Sequence, residues 1–156
     1  MAAQNASKAS KYCITCGRSF SWRASYGQDW PAVRYCSASC RSAKPSNRTD
    51  LGIEASFLRL LQSGRQATCT CEQVQLHDGQ DRAGIAWRER YRRAARRLAN
   101  VKQLCVIEHE EKAGKWEAGD GKGSMRVEIR ADRVAEAEQF LLAFDRPHQS
   151  ISNMDD

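Results

Sequence analysis

The sequence lacks the features that would mark a membrane protein, a secreted protein or a nucleotide-binding enzyme. No apolar run approaches the roughly 20 residues that a spanning helix needs. The opening residues, Met1-Ala-Ala-Gln-Asn-Ala-Ser-Lys8, have no apolar stretch of the secretory kind. Together these two absences place the chain in the cytoplasm, with no membrane partner expected. No internal repeat is visible, which argues against a repeat architecture. Histidine is scarce: His77, His109 and His148 are isolated, with no Ser, Cys or Asp at catalytic spacing. Gly119-Asp-Gly-Lys-Gly-Ser124 lacks P-loop spacing and precedes no apolar helix, so it reads as a hairpin tip. The chain is therefore expected not to be an enzyme and to take no small-molecule substrate.

Acidic residues are nearly missing from the first 50 positions. Only Asp29 and Asp50 stand there, against Lys8, Lys11, Arg18, Arg23, Arg34, Arg41, Lys44 and Arg48. The rest of the chain balances 17 bases with 17 acids, so this segment carries the whole net charge of +6. Such a local excess suggests an anionic partner such as nucleic acid.

What is present fits a soluble globular chain of 156 residues, 41% hydrophobic and 28% charged, long enough for one ordinary domain or two small ones. Seven cysteines is an odd count, so a pure disulfide framework would leave a thiol over. In a reducing compartment clustered cysteines are more often metal ligands. The spacing agrees. Cys13-Ile-Thr-Cys16-Gly17 forms a knuckle, in which Gly17 tolerates the positive φ of a tight turn. Cys36-Ser-Ala-Ser-Cys40 takes a helical step, so both sulfurs can face one ion from a first helical turn. Four thiolates make a closed, structural zinc site with no open position for chemistry. Two disulfides, four inert thiols or an iron–sulfur cluster are the alternatives. A segment of about 40 residues rarely folds without a staple, which disfavours inert thiols. Tyr12 and Trp22, Tyr26 and Trp30, and Tyr35 beside Cys36 are placed to pack around a metal. Cys69, Cys71 and Cys105 make an incomplete second set, more simply read as buried thiols.

The run Cys13-Ile-Thr-Cys-Gly-Arg-Ser-Phe-Ser-Trp-Arg23, then Trp30 and Val33-Arg-Tyr-Cys-Ser-Ala-Ser-Cys-Arg41, resembles a small bacterial finger family, domain of unknown function 2256. It also looks like a treble clef, the fold of the bacterial gyrase-inhibitor finger and of ribosomal-protein zinc fingers. The resemblance implies a β-hairpin over the spacer Ser19 to Tyr35 and a helix over Cys36 to Arg41.

The organisation along the chain reads as a disordered N-terminus (1–10), a four-cysteine finger (11–42) and a linker (43–50). A second domain (51–131), a C-terminal helix (132–145) and a flexible tail (146–156) follow. Thr49 or Asp50 can cap a helix from Leu51, with Ile53, Phe57, Leu60 and Leu61 on its apolar face and Gly64 as its stop. Ala67 to Thr70 is β-prone, and Thr70-Cys-Glu-Gln73 has capping-box form. Trp87, Tyr91, Ala94, Leu98 and Val101 mark the clearest helix. Val106 and Ile107 start a strand, Gly114 to Ser124 is a glycine-rich tip, and Met125 to Arg130 alternates as a second strand. Helix, strand, helix, helix, hairpin is the order of a winged helix-turn-helix. Val134, Ala137, Leu141 and Phe144 would be the buried stripe of the last helix.

Thr70-Cys71-Glu72 with Val74, Trp87-Arg88, Arg93 to Leu98, Val106 to Glu108 and Met125 to Arg130 resemble a second bacterial family, domain of unknown function 3253. That resemblance too implies a winged helix. The fold class expected is thus α+β, a treble-clef zinc finger with four cysteine ligands followed by a winged helix-turn-helix domain.

Two basic surfaces are candidates for nucleic-acid contact: Arg18, Arg23, Arg34 and Arg41 on the finger, and Arg88, Arg92, Arg93, Arg96 and Arg97 on the long helix. Residues 105–156 hold 12 acids against seven bases, and a wing bearing Glu108, Glu110, Glu111, Glu117 and Asp120 would be repelled by phosphates. The expected function is a non-enzymatic, zinc-stabilised protein that binds DNA or ribosomal RNA. The alternative is a protein–protein adaptor built on the same finger.

Overall fold

The computed structural model describes residues 9–44, 48–63, 67–80, 84–109 and 125–146. Most of the expected disordered N-terminus and flexible tail lies outside them, as do the linker centre, the Gly64 stop, the glycine-rich tip with the wing acids from Glu110 to Asp120, and His148.

The described residues form a mixed α+β structure with two separate antiparallel sheets. Strand β1 (Ser10–Tyr12) pairs with β2 (Ser19–Ser21), setting Ser10 against Ser21, Lys11 against Phe20 and Tyr12 against Ser19. The Cys13–Cys16 knuckle is the turn between them. This corrects the expectation of a hairpin over Ser19 to Tyr35. Only the start of that spacer is strand, and its partner precedes the cysteines. The remainder runs through 3-10 turns over Ala24–Ala32, broken at Gly27 with φ 50°. Pro31 has no amide to give to a ladder, and a left-handed Gly27 interrupts any extended run. The turns are held by side chains instead. The Phe20 and Tyr26 rings each lie 5.5 Å from that of Trp30. Lys11 sits 4.7 Å over the Trp30 ring and donates to the carbonyls of Trp30 and Pro31 at 2.5 and 3.1 Å. Helix α1 (Ala38–Ser42) closes the segment, with the Ser37 hydroxyl accepting from the Cys40 amide at 3.2 Å as its N-cap.

Helix α2 (Arg48–Gln62) begins before the expected Leu51, so Thr49 and Asp50 lie within its first turn rather than capping it. Asp50 suits that turn, because a carboxylate there faces the positive end of the helix dipole. The Arg90 guanidinium reaches it at 3.1 Å. Ile53, Phe57 and Leu61 are buried as the periodicity predicts. Strand β3 (Thr68–Thr70) leads directly into α3 (Cys71–His77) through a complete capping box. The Gln73 amide donates to the Thr70 hydroxyl at 3.2 Å, and the Thr70 amide donates to the Gln73 side chain at 2.8 Å. Helix α4 (Ile85–Arg96) runs on as a π-helical turn over Arg97–Val101, in which the Lys102 amide reaches back five residues to the Arg97 carbonyl at 2.9 Å.

Strands β4 (Cys105–His109) and β5 (Met125–Ile129) complete a sheet of order β3-β5-β4. Helix α5 (Val134–Asp145) then packs back on α2, with Ala137 fully buried and Phe144 close to Gly52. The expected α5 stripe is only partly right, since Val134 is exposed and Phe140 joins the core edge instead.

The main core holds Phe57, Leu58, Val74, Tyr91, Leu98 and Val127 without solvent contact or nearly so. Cys69, Cys71 and Cys105 are part of it. Burial pushes each of these thiols up to about 12, which makes them poor nucleophiles and poor ligands.

Candidate metal centre

The knuckle forms because its backbone closes on itself. The Gly17 amide donates to the Cys13 carbonyl at 2.8 Å and the Cys13 amide to the Arg18 carbonyl at 2.9 Å. Gly17 adopts φ +70°, the left-handed conformation expected of it. The buried Thr15 hydroxyl donates to the Cys40 carbonyl at 2.8 Å, tying the knuckle to α1. The Ser37 cap sets the start of that helix, so Cys36 just before it and Cys40 within it approach the knuckle together.

As a result the sulfurs of Cys13, Cys16, Cys36 and Cys40 all lie within 4.8 Å of one another. Cys36 Sγ is 3.7 Å from Cys16 Sγ and 3.6 Å from Cys40 Sγ. A tetrahedron with zinc–sulfur bonds of about 2.3 Å has sulfur–sulfur edges of about 3.8 Å. The four cysteines therefore fit one zinc ion. A disulfide would need about 2.05 Å, and no cysteine is bridged among the described residues. A multinuclear iron–sulfur cluster would hold its thiolates farther apart than these. Cys13, Cys16 and Cys40 are buried and Cys36 is half-exposed.

The electrostatics show what such a donor set requires. Burial, reinforced by neighbouring thiols, pushes Cys36 up to about 12, and burial raises Cys16 as well. Cys13 is buried too, yet amide donors from Cys16, Cys36 and Thr15 draw it down to about 7. One thiolate is stabilised by the backbone. Cys16 and Cys36 need a cation to lose their protons, and a bound divalent metal supplies that charge.

The outer side of the knuckle is docked on α4. Three carbonyls in a row accept from that helix and its π turn. The Arg97 guanidinium donates to Thr15 O at 2.8 Å, Arg96 Nε to Cys16 O at 2.7 Å, and Asn100 Nδ2 to Gly17 O at 2.9 Å. The approach is close enough that a Cβ on Gly17 would stand 2.5 Å from Arg96 Cβ. Arg97 also donates to Glu54 Oε1 at 2.6 Å, and Lys102 reaches the other oxygen of that carboxylate. Glu54 is 0% exposed and Arg97 3%. Arg96 pairs with Glu89 at 2.6 Å and is 8% exposed.

This corrects the expectation that Arg96 and Arg97 would meet phosphate. Both are drawn inward, because buried carbonyls and carboxylates give their donors partners that water no longer supplies. Arg88 remains exposed, while Arg92 and Arg93 are half-buried, Arg93 being 3.6 Å from Glu89. On the finger, Arg18, Arg23, Arg34 and Arg41 are all exposed, with Arg18 3.7 Å from Glu89. Tyr35 packs on the cysteines as expected, whereas Tyr12 and Trp22 face solvent.

Sequence reasoning missed Glu54, Glu89, Asn100 and Lys102. A signal for Glu54 existed. With Leu58 and Leu61 it follows steps of four and three on the apolar face of α2, and a carboxylate at such a position must find a buried cation.

Residues 4–43 match a family described as "Uncharacterized protein conserved in bacteria (DUF2256)". The matched stretch contains all four clustered cysteines. No curated protein and no solved structure matches the chain. Among the described residues no helix is long and apolar enough to cross a membrane.

Proposed function

We propose that this is a non-enzymatic, zinc-stabilised protein that binds DNA or ribosomal RNA through the exposed arginines of its finger. The observation that carries the reading is the contrasting fate of the two basic surfaces. Arg96 and Arg97 are consumed in holding the knuckle, while Arg18, Arg23, Arg34 and Arg41 stay exposed on the segment that bears the chain's net charge. Phosphate contact needs accessible guanidinium groups on a positive surface. Zinc, held by Cys13, Cys16, Cys36 and Cys40, fixes that surface in a treble-clef-like finger and takes no part in chemistry.

The second segment serves as the body that carries the finger. Its winged-helix reading is supported by the order α2-β3-α3-α4-β4-β5 and by an antiparallel sheet with β5 central. In this reading α4 is a docking helix first, and only Arg88, Arg92 and Arg93 remain for an outside partner.

The test is an anisotropy titration of the zinc-loaded protein with DNA and RNA oligonucleotides at two salt concentrations, beside an Arg23→Glu, Arg34→Glu, Arg41→Glu variant. Affinity should fall steeply with salt and collapse in the variant. No binding to either polymer at low salt refutes the reading. Salt-insensitive capture of a protein would favour the adaptor. Metal analysis should find one zinc per chain, lost in Cys36→Ser.

A further inference from the structure

We propose that the outer face of the β1–β2 hairpin is the contact surface for a single-stranded nucleic acid, with Tyr12 as its stacking platform. This rests on the nucleic-acid reading above and adds to it the strand state and the surface.

Side chains alternate along a strand, and directly opposed residues share a face. The register therefore sets Lys11 and Phe20 on one face and Ser10, Tyr12, Ser19 and Ser21 on the other. The first face is occupied. Phe20 packs against the cysteine cluster and the Trp30 ring, and Lys11 is spent on backbone carbonyls. The second face is exposed at all four positions, and Tyr12 keeps 49% of its surface in solvent. It offers three hydroxyls and one phenol ring, with no charge and no aliphatic group.

Charge complementarity identifies the occupant. Residues 9–44 carry six bases, and Asp29 is their one acid. Exposed arginines flank the face, Arg18 directly before Ser19 and Arg23 shortly after Ser21. A polyanion fits this frame. Serine hydroxyls suit sugar and phosphate oxygens. An exposed aromatic within a basic surface offers a base a face to stack on.

The strand state follows from what the face can and cannot read. A ribbon entering a major groove uses Arg, Lys, Asn or Gln on its outer face to address base edges, and none stands there. In a duplex the faces of the bases are already stacked on one another, so Tyr12 would gain nothing. An unpaired base leaves its face free for the ring.

The test uses full-length, zinc-loaded protein and three labelled probes of one mixed sequence: 12-nucleotide single-stranded RNA, its DNA counterpart, and the paired duplex. Wild-type protein should bind the single strands more tightly than the duplex. Tyr12→Ala should raise the single-strand Kd by roughly 5- to 150-fold, the range of one stacked base. Tyr12→Phe should restore most of the affinity, because the ring and not the hydroxyl stacks. Tyr12→Ala should leave the salt slope of log Kd unchanged, whereas Arg23→Ala should reduce it by about 0.7 on a single strand. Zinc content and circular dichroism report that each variant is folded. Duplex bound as tightly as single strand, or a folded Tyr12→Ala with unchanged Kd, overturns this inference and leaves nucleic-acid binding standing. Failure to bind any of the three probes overturns both.

Discussion

Gly17→Ala should be far more damaging than a glycine-to-alanine change usually is, and it tests the docking of the knuckle directly. Two costs add at this position. At φ +70° an alanine pays the left-handed penalty of about 1–2 kcal/mol. Its Cβ would also stand 2.5 Å from Arg96 Cβ, 2.6 Å from Arg96 C and 2.8 Å from Arg97 N. None of these atoms is the free end of a flexible side chain, so the clash cannot be relieved by a rotamer change. The knuckle must either strain, at about 1–3 kcal/mol for an overpacked site, or lift off α4. Lifting forfeits the hydrogen bonds from the Arg96 and Arg97 guanidinium groups, at about 1.5–3 kcal/mol each, and that from Asn100, at about 1 kcal/mol. Strain is the cheaper route and gives a total of about 2–5 kcal/mol, a fall in Tm of roughly 4–20 °C for a chain of this size. Gly79→Ala is the internal control. It has φ +72° and nothing within 4 Å of its would-be Cβ, so it pays the conformational term alone. Thermal melts of both variants, with one zinc per chain verified in each, read the difference. If Gly17→Ala melts within about 2 °C of Gly79→Ala, a difference that is worth under roughly 1 kcal/mol, the knuckle is not seated on the helix.

Glu54→Ala leaves the buried Arg97 guanidinium without its carboxylate and should cost about 3–5 kcal/mol. A Glu54→Gln variant, which keeps an acceptor for Arg97 Nε and leaves the Arg97 bond to Thr15 O in place, should lose less in urea melts, and if it is as unstable as Glu54→Ala, the pair is not the source of the effect. The thiols of Cys69, Cys71 and Cys105 give an alkaline limit. Their folded values, raised by burial from 9.0 to about 12, add stability that is complete below pH 9 and lost as pH rises towards 12. Tm should therefore fall between pH 9 and 12, and less so in a Cys69→Ala, Cys71→Ala, Cys105→Ala variant; equal slopes in the two proteins would refute the assignment.

Local chemistry was legible in the sequence wherever one stretch of chain decides it. The two cysteine pairs, the left-handed Gly17, the Thr70–Gln73 capping box and the alternation of β5 each depend on neighbours within a few positions, and each forms as expected. The spacer after β2 was misjudged because its partner strand lies before the knuckle, and nothing local in Ser19 to Tyr35 encodes that. The start of α2 shifted by a turn for a similar reason, since Asp50 serves Arg90, 40 residues away. The burial of Arg96 and Arg97 is the feature that the sequence did not reveal. Periodicity identifies the face of a helix that is apolar, and α4 duly buries Tyr91, Ala94 and Leu98. It does not reveal that a second, polar face is also covered, because Arg96, Arg97 and Asn100 find backbone carbonyls that carry no residue signature.

That second face changes what the metal can be expected to do. A closed four-thiolate site performs no reaction, yet the consecutive residues Thr15 to Gly17 present their carbonyls to α4 only while the knuckle keeps its turn. The turn is closed by its own backbone hydrogen bonds, and a zinc ion on Cys13 and Cys16 would lock it. If the turn opens, Arg97 retains Glu54 but loses Thr15 O, and Arg96 loses Cys16 O. Both guanidinium groups would then lie where water has been excluded, short of acceptors, a state that costs more than the three bonds themselves. The ion is thus linked to the stability of the body as well as the finger, through buried arginines. Chelation should lower the melting of α2 and α4 together with that of the finger, in one transition. Two separate transitions, with the second unmoved by chelator, would mean that the finger and the body are independent and that the arginine contacts carry no coupling.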